Sequence, residues 1–203
     1  MTAGVGKEQD LAFKGEKDSP RLKQTPAGAR ETKEDSPRSS APAQHQIEAK
    51  KVIGFTEIKE KYLPHRYPIL MLDRITDYRI GDYIEAIKCV TGNSPELVGH
   101  FPDRAILPAT FIIQALAQLA IVFTQLSLGP LREDEMTVVS TTKFKFLRPV
   151  FPGDTLQLRM TPRRLDDAVG IFEGIARVEN KSVVRGSLTL AKTKVSKFEK
   201  PPW

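Results

Sequence analysis

The sequence predicts an α+β domain in which one long buried helix is wrapped by a strongly curved antiparallel sheet of about six strands. Two observations support this fold class. Residues from 108 to about 128 are apolar on nearly every face, which is typical of a helix buried all round. From residue 136 onward, runs of β-branched and aromatic residues alternate with Pro, Gly, Asp and Asn turn signals. A curved sheet around the helix would bury it.

The elements before the long helix follow from local signals. Residues 55–63 predict a short helix with Thr56 as its N-cap and Pro64 as its stop. Two strands, at 69–78 and 82–91, are joined by a hairpin with Gly81 at the tight position. Residues 93–104 carry a glycine and two prolines, so they predict an irregular loop.

The later elements are equally well marked. The long helix is expected to begin near Pro108, because proline suits the first turn, and to stop at Gly129 and Pro130. Four strands follow, at residues 137–146, 155–161, 170–178 and 182–192. With the hairpin they give six strands.

Composition divides the chain of 203 residues into a tail and one domain. Residues 1–50 contain nine Lys/Arg and eight Asp/Glu with almost no large apolar side chains, so we expect a disordered tail. Residues 51–203 are expected to form the domain, with a net charge of about +5. That surplus predicts either a solvated lysine-rich surface or an acidic protein partner. No motif favours a nucleic acid.

The cysteine count, the lack of metal-ligand spacing and the lack of targeting segments restrict the compartment and the cofactors that we expect. Cys89 is the single cysteine, which excludes an internal disulfide and favours a reducing cytoplasm. No zinc-ligand spacing is found, so we expect no metal. The first thirty residues lack a signal-peptide pattern, and polar residues interrupt the long helix too often for a membrane span.

Chemistry-bearing residues converge at the start of the long helix. Ala109 and Thr110 should leave their N–H groups without intrahelical partners, and His100 lies just upstream. Gln114 and Gln118 share one helix face at i, i+4. Such a set can hold a carbonyl oxygen and move a proton beside it.

Several motifs in the same order resemble a known family, the hotdog-fold (3R)-hydroxyacyl-[acyl-carrier-protein] dehydratases of the FabZ type. The resemblance covers roughly residues 55–193. It is carried by Pro108 and by residues 63–74 (LPHRYPILMLDR), 99–102 (GHFP), 115–118 (ALAQ), 143–150 (KFKFLRPV) and 152–154 (PGD).

The resemblance implies roles for individual residues of the site. His100 would remove the α-proton of a thioester, and the N–H of Ala109 or Thr110 would polarise its carbonyl. Phe101 and Gln118 would contact the substrate, although the residues themselves favour a structural role for Gln118, tying the helix to the loop.

The resemblance also implies partners. These are an acyl carrier protein that presents the substrate on phosphopantetheine, with no cofactor bound to the enzyme itself, and a homodimer or trimer of dimers. Lys143, Lys145 and Arg148 are the candidate docking residues for the acidic carrier protein.

Gln114 departs from the family pattern at the decisive position. The family has a carboxylic acid fourteen residues beyond the histidine, supplied by the other subunit, and it protonates the departing hydroxyl. An amide does not titrate, and the loss of an acid costs on the order of 10²–10⁴ in rate. Ala105 and Ala109 also replace the family's usual Pro and Gly.

Two functions therefore stay open at the level of the sequence. The first is a dehydratase with His100 as base and Gln114 as an orienting group. The second is a protein that binds acyl thioesters without dehydrating them, either as a thioesterase or as an incomplete subunit of a heteromer with a related chain.

Overall fold

The computed structural model describes residues 51–198, which form one curved sheet around one helix. The proposed tail at residues 1–50 lies outside the described residues. A short helix, α1, spans Phe55–Glu57 and continues as a π-helical turn over Ile58–Tyr62. The long helix, α2, spans Ala109–Leu128. Short 3₁₀ turns lie at Pro95–Leu97 and Val195–Phe198.

Six antiparallel strands make one sheet in the order β1-β2-β4-β5-β6-β3. Their bounds are β1 Arg74–Arg79, β2 Tyr83–Cys89, β3 Glu135–Phe146, β4 Thr155–Leu165, β5 Val169–Val178 and β6 Lys181–Lys194. The order places β1 and the long strand β3 at the two edges. The hairpin between β1 and β2 turns at Gly81, whose φ of 81° is readily adopted only by glycine. The predicted α+β fold with six antiparallel strands is thus confirmed.

Helix α2 is the centre of the core. Eleven of its twenty residues are buried, and it contacts strands β2 to β6. Its length and hydropathy would suffice for a membrane span, but 61% of its most apolar stretch is buried inside the domain. Leu116, Leu119 and Phe123 are fully buried, as are the inward-facing residues of the sheet such as Leu158 and Phe172. The helix is therefore the structural core of the domain.

Two local predictions were wrong. Thr56 is not the N-cap of the first helix, because Gly54 takes that position without a side-chain cap. The first strand begins at Arg74 and not at residue 69. The backbone before it is used differently: the amides of Ile69 and Leu70 donate to the carbonyl of Arg66 in a turn, at 2.8 and 3.0 Å. This turn replaces the first part of the predicted strand.

Candidate active site

The loop before α2 is folded tightly around His100. The backbone N–H of His100 donates to the carbonyl of Leu97 at 3.1 Å, and its carbonyl accepts from the N–H of Ile106 at 2.9 Å. Gly99 has a φ of 80°, a conformation that a side chain would strain. The following residue, Phe101, has its ring stacked on the imidazole with centroids 4.3 Å apart. The loop therefore fixes both the backbone and the ring plane of His100.

The imidazole of His100 is held in one tautomer. Its Nδ1 lies 2.8 Å from the carbonyl oxygen of Ile106. A carbonyl can only accept, so Nδ1 carries the proton in the neutral ring and Nε2 carries the lone pair. No hydrogen bond to Nε2 comes from residues 51–198. The ring is partly buried, and Nε2 is available as a base.

The start of α2 lies three residues beyond the carbonyl that holds the ring. Pro108 precedes the first helical residue, and the N–H of Phe111 already donates to its carbonyl at 3.0 Å. Helix geometry leaves the N–H groups of Ala109 and Thr110 without intrahelical acceptors. Ala109 is half-buried and Thr110 is exposed, so both amides lie near the surface beside the His100 loop. They can donate to a carbonyl oxygen that enters there.

The two glutamines of α2 have different environments. Gln118 is 0% exposed, its Oε1 accepts from the N–H of Met71 at 2.8 Å, and its Nε2 donates to the carbonyl of Ile69 at 2.7 Å. Gln114 is partly buried, and its side-chain amide makes no hydrogen bond to another described residue. Gln118 thus ties the helix to the segment before β1, whereas the amide of Gln114 is available to a ligand.

The proposed docking lysines lie on the outer side of the sheet. Lys143 and Lys145 are exposed on β3 and, being two residues apart, point to the same face. They line an open groove of about 620 Å³ together with Arg159, Arg177 and Arg185. Arg148 follows the strand, is exposed, and is not part of the groove lining.

Sequence reasoning missed three of the cations in this groove. Arg159, Arg177 and Arg185 come from strands β4, β5 and β6, and only the register of the sheet brings them beside Lys145. The available signal was that each arginine directly follows an apolar residue of its strand, which predicts the outward face. Within residues 51–198, no cluster of three or more His, Cys, Asp or Glu could hold a metal ion.

The fold and the site together define a hotdog-fold protein with a histidine beside the start of its central helix. A family model described as the FabA-like domain matches residues 63–187. Among curated relatives, coronafacic acid dehydratase of Pseudomonas savastanoi pv. glycinea is 41% identical over 145 residues, which is 70% of this chain and 87% of the relative. The 3-hydroxyacyl-[acyl-carrier-protein] dehydratase FabZ of Aliivibrio fischeri is 38% identical over 143 residues, covering 70% and 95%.

A solved structure shows the same fold at lower sequence identity. The dehydratase heterocomplex ApeI:P of Xenorhabdus doucetiae matches with a TM-score of 0.57 and 19% identity, over 68% of this chain and 92% of that one. The chain belongs to the FabA-like family of hotdog-fold dehydratases, with FabZ-type relatives. The resemblance inferred from the motifs is therefore confirmed.

Proposed function

We propose that this chain eliminates water from 3-hydroxyacyl thioesters carried by an acyl carrier protein, in fatty-acid or polyketide-type biosynthesis in the cytoplasm. The observation that carries the proposal is the hydrogen bond from His100 Nδ1 to the carbonyl of Ile106 at 2.8 Å. It leaves Nε2 as the acceptor for a proton, and the helix-end amides that would hold the thioester oxygen begin three residues beyond Ile106. The dehydratase names of the two curated relatives support this assignment.

The proposed reaction uses His100 as the base, a helix-end amide for the carbonyl oxygen and Gln114 for the leaving hydroxyl. His100 Nε2 takes the α-proton, and the electron pair of the broken C–H bond moves toward the thioester carbonyl. The N–H of Ala109 or Thr110 stabilises the negative charge that develops on the carbonyl oxygen. The electron pair then forms the new C=C bond as the β-hydroxyl leaves. Phe101, which is 51% exposed and stacked on the imidazole, would contact the substrate.

The leaving hydroxyl needs a proton that Gln114 does not have. Its amide can donate a hydrogen bond that orients the hydroxyl, and the imidazolium of His100 can then return its proton to make water. The substrate needs no cofactor from the protein in this scheme, because the phosphopantetheine arm of the carrier protein presents it. A contact between substrate and Gln118 would require the amide to leave two backbone partners, so Gln118 supports the site from within the core.

Recognition of the carrier protein is proposed for the basic surface around β3. Lys143, Lys145 and Arg148 are exposed and have no carboxylate partner among the described residues. An acidic carrier protein would find unpaired charge there. Replacing all three by Ala should raise KM for the acyl carrier protein without lowering kcat, and the difference should shrink as salt is added.

A second copy of the chain is part of the proposal. β3 is a twelve-residue edge strand, and long edge strands present unpaired backbone groups to another chain. Exposed apolar residues lie along and after it: Val139, Phe146, Leu147 and Phe151. These features support a homodimer, or a trimer of dimers, in which two chains enclose the acyl group.

The test is direct conversion of a 3-hydroxyacyl carrier protein by the purified chain, followed by mass spectrometry. We expect loss of one water, abolition of turnover by His100→Ala, and a gain on the order of 10²–10⁴ from Gln114→Glu. His65→Gln is the matched histidine control and should keep the wild-type rate. Wild-type turnover in both His100→Ala and Gln114→Glu would remove this site from the mechanism.

The amide at position 114 also favours a second candidate, a subunit that binds acyl thioesters without dehydrating them. Such a chain would complete its site with a carboxylic acid from a related subunit. The same assay separates the alternatives. Release of free acid would identify a thioesterase, and carrier-protein binding without any product would identify an incomplete subunit.

A further inference from the structure

A buried ion pair joins β2 to the loop that carries His100. The Nζ of Lys88 lies 3.0 Å from Oε1 of Glu96, and the two side chains are 9% and 4% exposed. Lys88 lies on the inward face of β2, in line with the buried apolar residues Ile84 and Ala86. A charge shut in at the edge of a core is costly unless it is paired, so each of these side chains fixes the position of the other.

Glu96 lies in a short turn that is hydrogen-bonded to the backbone of His100. It is the middle residue of the 3₁₀ turn Pro95–Leu97, and the N–H of Val98 closes this turn on the carbonyl of Pro95 at 3.1 Å. The carbonyl of the next residue, Leu97, accepts the N–H of His100 at 3.1 Å. The position of Glu96 is therefore transmitted to the backbone of the histidine through one turn.

The His100 segment is then held from two sides. On the downstream side, Ile106 bonds both the ring and the carbonyl of His100. On the upstream side, the ion pair between Glu96 and Lys88 connects residues 95–97 to the sheet. Among the described residues it is the polar side-chain contact that does so. Val98, between the turn and Gly99, is 86% exposed and gives no anchor of its own.

We propose that Lys88 and Glu96 are positioning residues for His100: their buried pair locks the upstream turn and with it the position of the His100 backbone and ring. Neither side chain touches the substrate. The inference rests on the proposed function of His100 as the base. It predicts that the geometry of the pair, and not burial at these positions, sets the catalytic rate.

The decisive variant removes both charges and keeps the volume, as Lys88→Met with Glu96→Leu. Replacing a buried pair by apolar side chains of similar size commonly preserves stability, so the fold is expected to survive. A misplacement of a reacting group by about 1 Å can cost on the order of 10²-fold in rate. We expect kcat for a 3-hydroxyacyl carrier protein to fall about 10- to 100-fold, with KM changed less than about twofold.

Two further variants separate positioning from general damage. The exchanged pair, Lys88→Glu with Glu96→Lys, restores an ion pair and is expected to recover more of kcat than the apolar pair. Glu85→Gln breaks another ion pair of β2, the one with Arg159 at 2.6 Å, which is partly exposed and joins β2 to β4 and not to the His100 loop. This control is expected to keep kcat.

A spectroscopic readout makes the result independent of turnover. The NMR signals of the His100 ring are expected to shift in the apolar double variant and to stay unchanged in Glu85→Gln, with the ring of His65 as internal reference. If the wild-type chain makes no enoyl product, the proposed function fails, and the NMR comparison still decides the positioning role. Wild-type kcat or unchanged His100 signals in a folded apolar variant would overturn the inference.

Discussion

Gln118→Leu tests how the core helix is joined to the segment before β1. The wild-type amide uses both ends: Oε1 accepts from the N–H of Met71 at 2.8 Å, and Nε2 donates to the carbonyl of Ile69 at 2.7 Å. Leucine has a similar volume but neither polar group. The variant therefore isolates two hydrogen bonds at a position that is 0% exposed.

The expected loss comes mainly from one backbone group. Met71 is 2% exposed, so its N–H would stay buried without a partner, at about 1–3 kcal/mol. Ile69 is 44% exposed, so water can replace the lost donor and the net cost there is about 0.5–1.5 kcal/mol. Together these give a fall of about 1.5–4.5 kcal/mol in the free energy of unfolding.

Urea unfolding at fixed protein concentration measures this difference, since association would otherwise change the apparent stability. Gln114→Leu is the matched control, because Gln114 lies on the same helix face and its side chain makes no hydrogen bond to another described residue. It should change stability by less than about 0.5 kcal/mol. Gln125→Leu should fall between the two, since Gln125 donates one bond, to the carbonyl of Tyr62 at 2.5 Å. Equal stabilities of Gln118→Leu and Gln114→Leu would refute the reasoning.

Three other perturbations have defined outcomes. Burial lowers the pKa of His65 below 6.5 in the folded state. The stability that the neutral buried ring contributes is therefore complete above pH 6.5 and is lost as the pH falls from 6.5 toward the lowered pKa. In His65→Gln, the midpoint of urea unfolding should depend less on pH over this interval. Gly186→Ala would put a Cβ 2.1 Å from the carbonyl oxygen of Lys143, so its Tm should fall by an amount equivalent to more than about 2 kcal/mol, whereas Gly54→Ala, with no atom within 4 Å, should keep the wild-type Tm. Deleting residues 1–50 should leave Tm within about 2 °C, and a larger loss would contradict the disordered-tail prediction.

The sequence predicted the large elements because their signals are local and repeated. The all-round apolar pattern defined α2 to within one residue of its observed start, and alternation defined the strands on either side of each turn. It misplaced the start of β1, because residues 69–71 are rich in strand formers but bond instead to a turn and to Gln118. Long-range polar contacts of this kind override local propensity.

The site was only partly predictable for the same reason. His100 and the helix start are close in sequence, so their proximity follows from the short loop. The tautomer of the ring depends on the carbonyl of Ile106, and the upstream anchor depends on Lys88 and Glu96 meeting across the core edge. A backbone carbonyl and a pair eight residues apart leave no pattern in the sequence that marks them as part of a site.

Only one ring nitrogen of His100, Nε2, is available for proton transfer, and this restricts the substrate geometries in which a chain with Gln114 could dehydrate. In the proposed reaction, Nδ1 stays bonded to the carbonyl of Ile106, so Nε2 alone would take the α-proton and return a proton to the hydroxyl. The α-hydrogen and the β-hydroxyl of the substrate would then have to lie on the same face of the forming double bond. The amide of Gln114 would hold the hydroxyl close to Nε2 of His100. A carboxylic acid at position 114 would separate the two proton transfers and remove that requirement. An amide at position 114 therefore has to place the hydroxyl more accurately than a carboxylic acid would, because the amide cannot supply the proton itself.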